Sequence, residues 1–205
     1  MQNSTKIKRE VMGLMVHSLE GIPEGHHRDY FIYLLDYGWK EPLSDALKHN
    51  FGRMATLASE KKNAVVIMKT DEGIHFSDEV LSWHSINGND VEKNELLPAI
   101  LITNRHPIEF KKRGESFSTS GIVDSNLKMI LFPLKKYCTS TSEVVTLIQK
   151  IFTRVKNGED LDNFNIVEEK NRGVAGAFTS SLIIEPSLTG TNIAFNTIQN
   201  YFSKG

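Results

Sequence analysis

Short runs of apolar residues, separated by turn residues, are the dominant pattern along this chain. Four of them, residues 11–17, 64–68, 98–103 and 129–134, are rich in Val, Ile, Leu and Met and have the length of a strand. Most are continuously apolar rather than alternating, which is typical of strands that are covered on both faces of a sheet. The pattern therefore predicts a central, mostly buried sheet.

Helical spacing of apolar residues fills the intervals between these runs. Pro42 suits a first helical position, and an apolar stripe follows it to about residue 60. Ser140 and Glu143 have the spacing of a capping box, and the helix that they open should end at Gly158. We expect further strands at 164–167 and 178–184, a short helix from 77 to 83 and a C-terminal amphipathic helix at 193–202.

Residues 27–37 are the most aromatic stretch. Apolar residues at 30, 31, 34 and 35 recur at helical spacing, which predicts a helix over 27–37. Three tyrosines would form a second face of that helix, and a tryptophan follows it. A helix with apolar side chains on two faces is either fully buried or in contact with a partner. Since Tyr and Trp are common interface anchors, the predicted protein-binding residues are Tyr30, Tyr33, Tyr37 and Trp39.

The order of these elements determines the predicted fold class. Strand-like runs that alternate with helices indicate an α/β protein, with helices on both faces of a mixed, mostly buried sheet. We predict one three-layer domain over residues 1–205. A C-terminal extension, residues 160–205, packed on that domain is the alternative.

Composition narrows the possible ligands. The chain has 205 residues, of which 40% are hydrophobic and 24% charged, as in ordinary globular proteins. Lys and Arg number 24 against 25 Asp and Glu, so nucleic acid is not expected as a direct ligand, because its binding surfaces carry an excess of positive charge. A net charge near zero also gives little electrostatic repulsion between protein molecules, which favours a protein that functions within a complex.

The expected location is the cytoplasm. A single cysteine, Cys138, permits no internal disulfide and fits a reducing compartment. The first residues are polar, unlike a signal peptide, and no apolar run approaches the length of a membrane span.

The densest polar cluster surrounds the loop after the first strand: His17, Glu20, His26, His27 and Asp29. Imidazole and carboxylate groups are metal ligands, but the spacing matches no metal motif, and adjacent histidines on a regular helix do not converge on one ion. We therefore expect no metal ion and no cofactor.

Arg105 and His106 follow a predicted strand directly, the position where α/β proteins often place site residues. They are the best single pair of catalytic candidates. The full set of weak catalytic candidates is His17, His26, His27, Arg105 and His106.

Other motifs are incomplete. Residues 21–25 and 187–192 resemble anion-binding turns but have no phosphate-loop signature. Glu168 and Lys170 have the acid-x-Lys spacing of metal-dependent nucleases, which also arises by chance in charged loops. Residues 111–126 are polar and rich in Gly and Ser, which predicts a mobile loop.

Two hypotheses for function follow. The first is a non-catalytic binding or scaffold subunit of a larger cytoplasmic assembly, with a protein partner or self-association through the aromatic stretch. The Asn-, Lys- and Ile-rich usage is typical of bacteria, where a defence or stress system would be a suitable setting. The alternative is a metal-dependent enzyme or effector that acts on a phosphate-bearing small molecule or nucleic acid. We favour the non-catalytic hypothesis.

Overall fold

A computed structural model describes residues 12–24, 27–38, 40–73, 75–86, 90–116, 127–161, 164 and 182–184. The strands are β1 (Gly13–Val16), β2 (Tyr30–Leu35), β3 (Ala64–Lys69), β4 (Ala99–Thr103), β5 (Met129–Pro133) and β6 (Leu182–Ile184). The helices are α1 (Pro42–Lys61), α2 (Phe76–Trp83), α3 (Asp90–Leu96), α4 (Pro107–Ser116), α5 (Leu134–Tyr137) and α6 (Thr141–Asn157), with a 3₁₀ turn at Leu19–Gly21.

Within the described residues the strands form one mixed sheet in the order β1-β3-β2-β4-β5-β6. β3 lies between β1 and β2 and runs parallel to both. β4 is antiparallel to β2 and to β5, and β6 is antiparallel to β5. The predicted α/β class with a mixed sheet is thus confirmed.

The core lies on both faces of this sheet. Successive side chains of a strand point to opposite faces, and in β2 Ile32 and Leu34 join a cluster with residues of α1 and α6. Phe31 and Tyr33 join a second cluster, to which α2 contributes. Every residue of β2 is buried, so helices cover this strand from both sides.

The helix predicted over 27–37 is wrong, because the chain forms strand β2 at Tyr30–Leu35. A strand that is buried on both faces needs an apolar residue at every position, so its sequence has no period of two. Six continuous apolar residues also satisfy helical spacing by default. Pairing with β3 on one side and β4 on the other decides the conformation.

The two long helices agree with their end signals. α1 begins at Pro42 and ends before Lys62, which adopts the left-handed conformation. At the start of α6 the Ser140 side chain accepts a hydrogen bond from the Glu143 amide. The helix ends at Gly158, with φ 67°, where glycine avoids the penalty that a Cβ would bring.

The predicted loop at 111–126 is wrong in its first part, since α4 extends from Pro107 to Ser116. Pro107 takes the first helical position, and the buried Phe110 fixes the helix to the core. Residues 117–126 lie outside the described part of the chain. So do the predicted C-terminal helix 193–202, Glu168 and Lys170, and the turn at 187–192.

Candidate functional site

The carboxyl ends of β1, β2 and β3 meet at one edge of the sheet, which we call the carboxyl edge. Beyond β2 the chain enters α1, whose apolar residues pack on one face of the sheet. Beyond β3 it enters α2, which packs on the opposite face. Where neighbouring parallel strands send their connections to opposite faces, a crevice opens, and ligands of open α/β sheets bind there. The position between the ends of β2 and β3, beside Leu35 and Lys69, is therefore the candidate ligand site that the topology favours, and we call it the crevice.

A buried aspartate follows β2 at this edge. Asp36 follows β2 and is 7% exposed. Its carboxylate accepts hydrogen bonds from the Gly38 amide and from the Ser44 hydroxyl on α1. Its backbone amide and carbonyl both bond the Ser77 hydroxyl on α2, at 3.1 and 2.9 Å. Asp36 thus ties the starts of α1 and α2 to the end of the central strand.

A buried lysine ends the neighbouring strand at the same edge. Lys69 ends β3 and is 6% exposed, and its Nζ donates to the Tyr37 carbonyl at 3.3 Å. An ammonium has three donors, and this is the one hydrogen bond that Lys69 Nζ makes to the described residues. A buried cation is stable only when it is well paired, so a negatively charged group beside Lys69 would be electrostatically favourable.

The rim of the crevice is polar. The exposed His17 has its Nδ1 3.5 Å from the Thr70 hydroxyl. Lys48 of α1 pairs with Asp71 at 3.2 Å. Gly73 is packed so closely that a Cβ there would meet the His17 carbonyl oxygen at 3.2 Å. Close packing at this glycine holds the turn after β3 against the end of β1.

His17 and the pair Arg105–His106 lie at opposite edges of the sheet. β4 is antiparallel to β2, so the residues after Thr103 lie where β2 begins. The length of β2 separates the two edges, roughly 20 Å for six residues at about 3.3 Å each. His27, exposed, precedes β2 at the Arg105 edge, and His26 lies outside the described residues. The four described candidates, His17, His27, Arg105 and His106, therefore do not lie together at one site.

His106 is partly structural at that opposite edge. Its ring meets Phe31 edge-on, with ring centroids 5.4 Å apart. Burial lowers its pKa, which the nearby Glu109 carboxylate opposes. Arg105 lies 3.9 Å from the same carboxylate and donates to the Asn104 carbonyl. These contacts are sufficient to explain both side chains as local packing.

The predicted aromatic helix face does not form, because Tyr30 and Tyr33 belong to strand β2 and not to a helix. Tyr30 and Tyr33 belong to different core clusters and are 5% and 0% exposed. Tyr37 is half-buried at the carboxyl edge, where its hydroxyl donates to Asp78 at 2.9 Å. Trp39 lies outside the described residues.

The missed residues of the carboxyl edge had a sequence signal. Asp36 and Lys69 are the first polar residues after uninterrupted apolar runs. The helix predicted over 27–37 concealed the position of Asp36 at the end of a strand. The place of both residues at one edge depended on strand order, which no local pattern contains.

No family model, curated protein or solved structure is detectably similar to this chain. Among the described residues, no three His, Cys, Asp or Glu side chains come together as metal ligands. In the same part of the chain, no helix is both long and apolar enough to cross a membrane.

A second candidate site is the outer side of β1, an end strand of the sheet. The carbonyl of Met12 accepts a hydrogen bond from the Val66 amide of β3 at 2.8 Å, and that of Val16 accepts one from the Thr70 amide, just after β3, at 3.0 Å. Because backbone groups alternate in direction along a strand, those of Gly13 and Met15 point away from β3. The Met15 side chain is 52% exposed. The strand contains no charge and no proline, the usual protections of a sheet edge.

Proposed function

We propose that this chain is a non-catalytic binding subunit of a larger protein assembly, and that an extended segment of its partner adds beside β1. The observation that carries this proposal is the apolar edge of β1 with its exposed Met15. Strand addition supplies main-chain hydrogen bonds for affinity and pockets for alternate side chains.

The chemistry of β1 suits such a partner. Unprotected apolar edges are sites of association with other chains, and native proteins normally blunt them with Lys, Pro or a bulge. Methionine adapts its shape and is common at binding surfaces. A near-zero net charge of −1 also imposes little repulsion on an assembly.

A cytoplasmic assembly, in a bacterial defence or stress system, is the setting that we propose. Cys138 is the one cysteine of the chain and its side chain is buried, so no internal disulfide can form, which suits a reducing compartment.

Met15→Lys is the test of the β1 surface. We expect the wild-type chain to self-associate or to retain a protein partner in affinity purification with mass spectrometry, and the variant to lose that species. Gln149→Lys adds the same charge on the exposed side of α6, and this control variant should still self-associate or retain the partner. A wild type that is monomeric by light scattering and retains no partner would contradict the proposal, as would unchanged binding by Met15→Lys.

A second candidate function rests on Lys69: an effector or enzyme that binds a phosphate-bearing small molecule in the crevice at the carboxyl edge. The supporting observation is a buried ammonium with a single hydrogen bond to the described residues, at a point where connections leave to opposite faces. An anion there would gain a charge-assisted hydrogen bond.

Thermal unfolding with inorganic phosphate or mononucleotides, each with and without Mg²⁺ or Mn²⁺, tests this candidate. We expect one of these ligands to raise the Tm of the wild type and to have no effect on Lys69→Met. Lys48→Met removes a charge from the same edge but not from the crevice, so the ligand should still raise the Tm of this variant. No shift of the wild-type Tm with any of these ligands would rule the candidate out.

A further inference from the structure

Two buried histidines contact helix α4. His106 directly precedes the helix, and His84, which follows α2, meets the ring of Phe110 on α4. The two histidines are 8% and 1% exposed. Histidine is the side chain whose ordinary pKa lies closest to neutral pH. A helix that is held by two uncharged imidazoles is therefore sensitive to acid.

His106 caps the start of α4. Its Nδ1 accepts a hydrogen bond from the Ile108 amide at 3.3 Å, and the first amides of a helix have no partner within the helix itself. Nδ1 can accept only while it has no proton. Protonation would remove this acceptor and would place a positive charge at a helix N-terminus, where the helix dipole disfavours it.

The groups around His106 act on its charge in both directions. Burial lowers its pKa and is the largest influence. Two carboxylates and two carbonyls favour the charged ring, those of Glu109, Glu24, Pro23 and Ile22. Arg105 lies 3.9 Å from the Glu109 carboxylate, and β2 presents the uncharged ring of Phe31 at 5.4 Å. The effect of burial prevails, so His106 is neutral at pH 7.

His84 supports the middle of α4. Its ring lies 4.5 Å from that of Phe110, which is 4% exposed. The Val80 carbonyl, 2.7 Å from Nδ1, favours the charged ring, but burial outweighs it and lowers the pKa of His84 to about 4. From β2 the Tyr33 ring lies 5.3 Å away, and burial raises the pKa of this phenol, so it is uncharged. A charge on His84 would thus lie among uncharged rings.

The remaining attachments of α4 are few. Among its side chains that the structure describes, those of Pro107 and Phe110 are buried, whereas α6 buries six. Lys111, the charged residue next to Phe110, lies 4.3 Å from the centre of the Trp83 ring and 3.5 Å from the Glu20 carboxylate. Exposed ion pairs of this kind contribute little to stability. The two histidines therefore carry a large share of the contacts that hold this helix.

We propose that α4 is an acid-releasable helix, which leaves α2 and β2 when His84 and His106 are protonated while the rest of the sheet stays folded. Both rings bind a proton more readily once the helix has left, because release gives them access to water. Release would also expose the ring of Phe110, so acid would create an apolar surface that is closed at neutral pH.

Amide hydrogen exchange of the full chain, measured by NMR at pH 7 and pH 5, tests this proposal. Protection factors, which correct for the intrinsic effect of pH on exchange, should be lower for α4 than for α6 at both pH values, because α4 opens alone. Those of α4 should fall by about 10- to 20-fold at pH 5, since His84 returns from a pKa of about 4 towards 6.5 on release.

Two variants identify the groups that titrate. His106→Asn keeps a good helix cap that does not titrate, and His84→Gln is also uncharged, so each should reduce the fall in protection. His49→Gln removes an exposed histidine of α1 and should leave the fall unchanged. Equal protection of α4 and α6 would overturn the proposal, because α4 would then leave only with the whole fold. Protection of α4 that is independent of pH, or a fall that both histidine variants keep in full, would overturn it as well.

Discussion

β1 and β2 are both short apolar strands that end in polar turns, yet they have opposite roles. All six residues of β2 are buried, whereas β1 is half-exposed and its Met15 is 52% exposed. β2 has a neighbour on each side and a core cluster on each face. β1 pairs with β3 alone among the described residues. The same apolar pattern therefore marks the core in one strand and a candidate interface in the other.

The largest effect should come from emptying a core position of β2. Ile32 is fully buried, so Ile32→Ala should lower the free energy of unfolding by about 2–5 kcal/mol, because it leaves a cavity. Leu14→Ala in β1 is the matched change at a half-buried site, and it should cost less. Urea unfolding monitored by circular dichroism would measure both. Equal losses would remove the distinction between the two strands.

The next largest effect should be a loss of stability at low pH. It arises from His84, which lies at the end of α2 and contacts Tyr33 of β2. His84, against Tyr33, has a pKa of about 4 in the folded chain, below its ordinary value of 6.5. The unfolded chain therefore binds a proton first as the pH falls, so stability is full above about pH 6.5 and declines below it. At pH 5 the loss should be about 2 kcal/mol, at roughly 1.4 kcal/mol per pH unit.

His84→Gln isolates that contribution, because glutamine does not titrate in this range. The difference in stability between wild type and variant, from urea unfolding at pH 7 and pH 5, should shrink by about 2 kcal/mol at the lower pH. A difference that is independent of pH would show that His84 titrates normally in the folded chain.

A smaller effect is expected where β1 meets α1. A Cβ at Gly13 would lie 2.6 Å from the Cβ of Ala55, a separation that real side chains do not adopt. Gly13→Ala should therefore lower the free energy of unfolding by about 1–3 kcal/mol through overpacking. Gly52→Ala on α1, where a Cβ would meet nothing within 4 Å, is the control and should be neutral or stabilising. The free energies of unfolding would be measured by chemical denaturation. An unchanged value for Gly13→Ala as well as for Gly52→Ala would contradict the prediction.

The smallest effect on stability should come from the exposed side of β1. Met15→Lys should alter the free energy of unfolding by less than about 0.5 kcal/mol, as surface substitutions usually do, while it abolishes partner binding. A large loss of stability in thermal unfolding would mean that Met15 supports the fold itself.

The sequence predicted those elements whose signals are local. α1 carries its own start residue, Pro42, and α6 carries both a start residue, Ser140, and a stop residue, Gly158. β2 carries no such signal, because burial on both faces erases the period that distinguishes a strand from a helix. Pairing partners far along the chain decide its state.

The candidate site was predictable to a smaller extent. His17 and His106 each follow a strand, as expected, but the antiparallel direction of β4 places them at opposite edges. Asp36 and Lys69 lie at the same edge of the sheet because β2 and β3 are parallel neighbours. Strand order and direction are properties of the whole sheet, and neither can be read from residues within one segment.

The central position of β2 also has a consequence for folding. Its two neighbours, β3 and β4, begin only at Ala64 and Ala99, so β2 cannot complete its ladder until much of the chain has been synthesised. Such non-local pairing slows folding. Until then the uncharged sequence from Tyr30 to Leu35 is available to other chains, and it has the composition of an aggregation-prone segment. We expect newly made chains to depend on chaperones during this interval more than their final stability would suggest.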